Sequence, residues 1–175
     1  MKIGLIADTQ GSFDVDALVA FVGRAFAGVD EIWHAGDWGV EAVLDGLRSL
    51  GPPLVVVNGN APDDPRYPLV IDRTIGNWRV VMVHNLQGSL PRLRGRVGEG
   101  AAVVIHAHTH RWRDETVGPT RFINPGTATK PQFGGSERTM ARLMFGRDLV
   151  VEKVLVPKLS FPSPAQRGRA WRGPI

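Results

Sequence analysis

The chain contains no cysteine. That removes disulfides and thiolate-bound metals from consideration. It contains no apolar run of the length a membrane span requires, so no membrane partner is expected. The apolar opening is too short for a secretory signal and runs directly into Asp8. These absences leave a cytoplasmic setting as the expectation. No internal repeat is visible. Histidine is scarce too, with five in 175 residues, yet three of the five fall within residues 106–110.

What remains has the composition of an ordinary globular domain, 43% hydrophobic and 22% charged. At 175 residues the chain is long enough for one domain with its own core. The net charge of +4 is concentrated at one end. Residues 157–175 carry Lys158, Arg167, Arg169 and Arg172 without an acid, which leaves 17 basic and 17 acidic side chains elsewhere. The sequence pI of about 10.1 therefore belongs to the tail and is a weak argument for nucleic-acid binding. The expected organisation is a folded domain over 1–156 and a basic, Pro- and Arg-rich arm over 157–175 with the composition of a disordered tail.

Residues 101–105 are a continuous apolar run and read as a short buried strand. His106, His108 and His110 follow it directly, where a strand leaves its sheet and ligand chemistry is usually placed. In extended geometry the three would point to one side. In a loop they could converge on a metal, for which neutral imidazole is the commonest ligand. A His-rich polar loop without function is the competing reading.

Residues 2–7 read as a first strand that ends at Asp8, and 14–26 as a helix with Asp14 as its N-cap. A second strand over 31–34 opens into Gly36-Asp37, and a second helix follows over 40–49. A third strand over 54–57 ends in Asn58-Gly59-Asn60. Successive right-handed βαβ units place strand ends on one rim, which gathers Asp8, Asp37 and Asn60. Strands over 69–75 and 78–83 form a hairpin ending at His84, and 89–99 is a weak helix candidate. Residues 112–117 with 120–123, and 138–145 with 149–156, read as further strand pairs, with Asn124 to Thr127 as a tight turn. Two packed sheets flanked by helices follow from this order.

The strand-end residues thus offer carboxylate and amide oxygen and imidazole nitrogen, without sulfur. That donor set suits Mn, Fe, Zn or Mg over a soft metal. In this order and spacing, Asp8-Thr9-Gln10, Gly36-Asp37, Gly59-Asn60, His84 and Ala107-His108-Thr109-His110 resemble the calcineurin-like metallophosphoesterases, closest to their small bacterial and archaeal phosphodiesterases. The resemblance implies an α/β fold, a four-layer α/β/β/α sandwich with two mixed β-sheets. It implies two divalent ions, Mn²⁺ first, with Fe, Zn, Ni and Mg as alternatives. Asp8, Asp37 and His110 would hold one ion, with Gln10 at the position of a ligand His. Asp37, Asn60, His84 and His108 would hold the other, with Asp37 bridging. The implied reaction is hydrolysis of a phosphodiester by a metal-bridging hydroxide, with His108, Asp37 and Asn60 as catalytic residues.

Two departures from the family pattern carry weight. Gln10 replaces a metal-binding His, and an amide oxygen ligates Mn or Zn more weakly than imidazole. Ala61 stands where many members place a His that protonates the leaving group, so water takes that role. Ala107 replaces a Gly at little cost. His34 reads as a supporting residue, and His106 reads as buried in the sheet. Arg92, Arg94, Arg96, Arg111 and Arg113 lie near the histidines in sequence. Of these, Arg94 and Arg111 are the candidates for phosphate binding. Expected partners are a phosphate-ester small molecule or nucleotide, with nucleic acid and a homo-oligomer as further options. The rival reading is a catalytically weak scaffold of the same fold that binds protein partners, like the retromer subunit that resembles these phosphodiesterases.

Overall fold

The structure is a computed structural model that describes residues 1–93, 102–132 and 135–159. Two five-stranded mixed sheets face each other. The first has the order β10-β9-β1-β2-β3, built from β1 (Lys2–Ile6), β2 (Glu31–His34), β3 (Leu54–Val56), β9 (Thr139–Phe145) and β10 (Leu149–Leu155). The second has the order β4-β5-β6-β8-β7, built from β4 (Val70–Ile75), β5 (Trp78–Val83), β6 (Ala102–Ile105), β7 (Trp112–Val117) and β8 (Thr120–Pro125). Each sheet has a parallel centre, β1-β2-β3 in one and β5-β6-β8 in the other. Antiparallel strands close the edges, β9 and β10 in the first sheet, β4 and β7 in the second.

Strand alternation sorts the core into layers. Ile3 and Leu5 of β1 and Trp33 of β2 meet Val80, Met82, Val103, Ile105 and Ile123 between the sheets. Ile6 and Ile32 point the other way, onto Leu18 and Val22 of α1 (Val15–Ala25) and Val43 and Leu47 of α2 (Glu41–Arg48). Gly4 shares that outer face, and any Cβ there would collide with the Phe26 ring at the end of α1. On the far side of the second sheet, Val81 and Val83 pack with Val70 and with Leu86 of α3 (Leu86–Leu93). The order is helices, sheet, sheet, helix, as the spacing predicts.

α1 starts where expected, with Asp14 accepting the Ala17 N–H at 3.0 Å. α3 starts three residues earlier than the apolar spacing suggests. Asn85 caps it by accepting the Gly88 N–H at 3.0 Å. Residues 94–101 lie outside the described residues, and with them Arg94 and Arg96. So do 160–175, most of the basic arm. β8 also runs further than expected, through Asn124 and Pro125. The proline pairs with Trp112 of the edge strand β7.

Candidate metal centre

The carboxyl ends of the parallel strands of both sheets open onto one rim, and the site is built there. Asp8 and Thr9 leave β1 and are tied to the loop after β2. The Asp8 N–H donates to Gly36 O at 3.1 Å and the Thr9 N–H to Asp37 O at 2.8 Å. The second sheet contributes its own pair of loops, joined by the Ala107 N–H donating to His84 O at 2.9 Å. The two halves then meet at Asp8, whose Oδ2 accepts the His108 N–H at 3.1 Å.

The backbone at this rim is strained. Among the described residues, the non-glycine residues with positive φ are Asp8 (51°), Asp37 (58°), His108 (70°) and His110 (55°). Each costs on the order of 1–2 kcal/mol relative to ordinary backbone. All four belong to the expected ligand set. Two glycines allow close approach. Gly36, at φ 92°, sits where a Cβ would meet the His84 ring. A Cβ on Gly59 would strike the N and Oδ1 of Asp37.

Asp37 is the centre of the cluster. Its Oδ1 accepts the N–H groups of Asn60 at 2.6 Å and Ala61 at 2.9 Å. His84 Nε2 lies 3.2 Å from the same oxygen. His84 Nδ1 donates to Ala35 O at 2.9 Å, which leaves Nε2 as the atom carrying a lone pair. Although buried, Nε2 has no hydrogen-bond partner. A carboxylate oxygen and an imidazole lone pair facing each other in a buried site are what a shared cation resolves. The carbonyl bond on the opposite ring nitrogen is the usual support of a ligating histidine. Ligand atoms of Asp37, His84 and His108 all lie within 4.8 Å of one another. The residues present therefore fit a divalent ion. The His84 and His108 rings meet edge to face, 5.2 Å between centroids. Asn60 is exposed beside them and, with His84, lines a cleft of about 180 Å³.

The other flank holds Asp8, Gln10 and His110. His110 Nδ1 hydrogen-bonds Lys130 O at 2.8 Å, and its Nε2 lies 3.7 Å from Asp8 Oδ1. The Gln10 amide nitrogen lies 3.3 Å from Asp37 Oδ2 and 3.2 Å from His110 Nε2. Buried Asp8 Oδ1 and Gln10 Oε1 have no hydrogen-bond partner.

Burial dominates the electrostatics. It pushes the Asp8 carboxyl up to about 8, helped by Asp37, while His84 works against the rise. Burial would also raise Asp37, but His84 and the N–H groups of Asn60 and Ala61 outweigh it and hold this carboxyl below its ordinary value. His84 is the mirror case: burial would lower it, and Asp37, Asp8 and the Ala35 carbonyl raise it instead. Burial lowers His108 and His110. Each protein charge here depends on an opposite charge close by.

His106 is separate from the cluster. It lies against the Asn124 amide at 3.3 Å, and burial lowers it to about 4. His34 supports the site. Its Nδ1 accepts the Gly36 N–H at 3.2 Å, so its Nε2–H donates to Thr9 Oγ1 at 2.9 Å. Thr9 in turn donates to Trp38 O at 3.2 Å, locking the two aspartate loops together. Asp63 and Asp64 do not reach the centre. Asp63 accepts from Asn58 at 2.7 Å, and Asp64 pairs with Arg66 at 2.6 Å. Arg111 lines a cavity of about 580 Å³ next to His108, with His106, Thr109, Trp112, Arg113 and Glu115. Arg113 is already paired with Glu115 at 2.9 Å.

The supports that sequence reading missed are Thr127 and Thr129. Thr127 Oγ1 donates to Asp8 O at 2.7 Å. Thr129 Oγ1 donates to Gln10 O at 2.8 Å, and also contacts Asp8 O at 3.2 Å. The Asn124 to Thr127 segment, expected as a tight turn, is instead the end of β8 and the residues after it, and it is the foundation beneath the first aspartate.

Two mixed sheets with a histidine and aspartate cluster at their shared rim define a metallophosphoesterase-type fold and site. Residues 1–148 match the calcineurin-like phosphoesterase superfamily domain, and the chain belongs to that family, which uses divalent metals. It is 32% identical over 141 residues to a probable metallophosphoesterase of Methanothermobacter thermautotrophicus, covering 76% of this chain and 80% of that one. A solved archaeal phosphodiesterase shares the fold at TM-score 0.72 and 21% identity, covering 89% of this chain and 100% of that one. Vps29 from Entamoeba histolytica, solved with Zn²⁺, shares it at TM-score 0.68 and 19% identity, covering 89% and 99%. Among the described residues, no helix is long and apolar enough to cross a membrane.

Proposed function

We propose that the protein is a divalent-metal-dependent phosphodiesterase whose reaction takes place at Asp37, Asn60, His84 and His108. The observation that carries this reading is the convergence of Asp37, His84 and His108 ligand atoms within 4.8 Å, with His84 Nε2 buried and facing Asp37 Oδ1 at 3.2 Å. A divalent ion held there, Mn²⁺ first among the candidates, would supply Lewis-acid stabilisation of the phosphoryl oxygens and a water acidic enough to attack near neutral pH. His84 and the N–H groups of Asn60 and Ala61 hold the Asp37 carboxyl below its ordinary value. His108 stands at the boundary between the cluster and the 580 Å³ cavity, where a phosphoryl group would lie. Arg111, on the wall of that cavity, is the candidate to hold a second phosphate oxygen.

Ala61 offers no proton donor, so the leaving oxygen takes its proton from water. This favours esters with good leaving groups, and the resemblance to the small phosphodiesterases supports diesters over monoesters. A nucleotide or other small phosphate diester fits the cavity volume. The basic segment 157–175 is a candidate electrostatic arm for longer phosphate backbones, attached to the domain over 1–156.

The test is hydrolysis of an aryl phosphodiester across a Mn²⁺ titration, with His108→Ala alongside. Saturable, Mn²⁺-dependent turnover that the substitution abolishes is expected. Turnover no higher than His108→Ala at any Mn²⁺ concentration would refute the enzyme reading. Two observations favour a second reading, a weakly active scaffold that binds protein partners: Gln10 stands inside the cluster, and the fold is shared with Vps29. In that case the wild-type protein would bind the ion without turnover.

A further inference from the structure

We propose that the centre holds a single divalent ion, at Asp37, His84 and His108, and that the Gln10 amide group occupies the role of a second. The inference rests on the reading that this rim binds a divalent ion. It departs from the two-ion expectation on the evidence of the Asp8 flank.

Hydrogen-bond chemistry fixes the orientation of the Gln10 amide. His110 gives its Nδ1–H to Lys130 O, so Nε2 presents a lone pair and accepts. Asp37 Oδ2 is a carboxylate oxygen and also accepts. The Gln10 terminal atom that lies 3.2 Å from one and 3.3 Å from the other must therefore be a donor to both. An amide nitrogen has two protons and satisfies both. The carbonyl oxygen in the same place would set lone pairs against lone pairs. The –NH₂ group thus stands between two residues that a cation would otherwise bridge, and it delivers two N–H dipoles where the cation would deliver charge.

A second ion would have to displace both hydrogen bonds and turn the amide by half a rotation. In return it would gain a weak neutral oxygen ligand in place of imidazole. The spacing of the other residues agrees, even though Asp8 Oδ1 and Gln10 Oε1 are buried without hydrogen-bond partners. Among the described residues, Asp37, His84 and His108 are the His and carboxylate group whose ligand atoms close to within 4.8 Å. Asp8, Asp37 and His110 do not form such a group. Asp8 Oδ1 stays 3.7 Å from His110 Nε2, while Asp8 Oδ2 is used to hold the His108 N–H at 3.1 Å. Asp8 then acts as a positioning residue for His108.

The experiment counts ions. Chelator-stripped protein is titrated with Mn²⁺, and bound Mn²⁺ per chain is measured by calorimetry and elemental analysis. The electron paramagnetic resonance spectrum then reports whether bound ions are isolated or exchange-coupled. The wild-type protein is expected to bind one ion per chain with the spectrum of isolated Mn²⁺. Gln10→His, checked for folding by its thermal melt, is expected to bind two and to show a coupled pair. Two coupled ions in the wild-type protein would overturn the inference, and if the diester were still hydrolysed the proposed function would stand. A Gln10→His protein that folds yet still binds one ion would also overturn it, because Gln10 would not be what excludes the second. No bound Mn²⁺ and no hydrolysis would overturn both.

Discussion

Thr127 Oγ1 donates to the carbonyl oxygen of Asp8 at 2.7 Å, joining residues 119 positions apart in the chain. Asp8 holds a left-handed backbone at φ 51°, which it would not keep unaided. The hydroxyl is fully buried and pins that carbonyl, and Thr129 pins the next turn through Gln10 O. Through Asp8 Oδ2 and the His108 N–H, the same contact sets the position of a candidate metal ligand.

Thr127→Val keeps the shape and removes the donor. It should cost roughly 1–3 kcal/mol, because the Asp8 carbonyl loses its shorter hydrogen bond and the N–H groups of Thr129 and Lys130 lose their acceptor. In a protein of this size that lowers the midpoint of thermal unfolding by several degrees. Mn²⁺ affinity should fall as well, since Asp8 and His108 lose their registration. Parallel thermal melts with and without Mn²⁺ check both effects. An unchanged melt would show that the hydroxyl is dispensable.

Gly59→Ala tests the close approach beneath Asp37. The added methyl would meet Asp37 N and Oδ1, and Oδ1 is held by hydrogen bonds from the N–H groups of Asn60 and Ala61. The expected result is roughly 1–3 kcal/mol of destabilisation, with loss of Mn²⁺ binding because Asp37 has to move. Gly118→Ala is the comparison. It has positive φ but nothing within 4 Å, so it should destabilise without affecting the metal. Equal metal affinity in the two variants would contradict the close-packing account.

Much of this site can be read from the strand ends alone. Asp8, Asp37, Asn60 and His84 each follow an apolar run, and parallel βαβ connections leave the rim as their common destination. The spacing of His108 and His110 marks both as candidate ligands, and both stand at the rim. Their separation from His106 is not legible, because it depends on positive φ at two histidines, a residue type that gives no sequence signal for it. The roles of Thr127 and Thr129 are not legible for another reason: their partners are more than a hundred residues away, and the Asn124 to Thr127 motif does not say which backbone its threonine meets. The start of α3 is not legible from apolar spacing, because the helix is capped by Asn85 directly after the strand-end His84.

Buried neutral histidines make stability depend on pH. Burial lowers His34 to about 3 and His106 to about 4, against an ordinary value near 6.5. Between those limits the unfolded chain binds protons that the native protein does not. Their contribution is therefore fully present above about pH 6.5 and declines as pH falls, toward 4 for His106 and toward 3 for His34. Denaturant unfolding at a series of pH values should show this loss. His34→Gln retains an amide donor for Thr9 and removes a titrating ring, so its slope over the same range should be shallower. A slope equal to wild type would show that His34 is not buried neutral.

The position of the ion is the most direct test of the whole account. A crystal grown with Mn²⁺ and measured at the manganese absorption edge locates it without reference to activity. The account predicts one strong anomalous peak per chain, bounded by Asp37, His84 and His108, with the Gln10 amide still between Asp37 and His110. No peak at those three residues, under conditions where Mn²⁺ saturates the protein in solution, would contradict it.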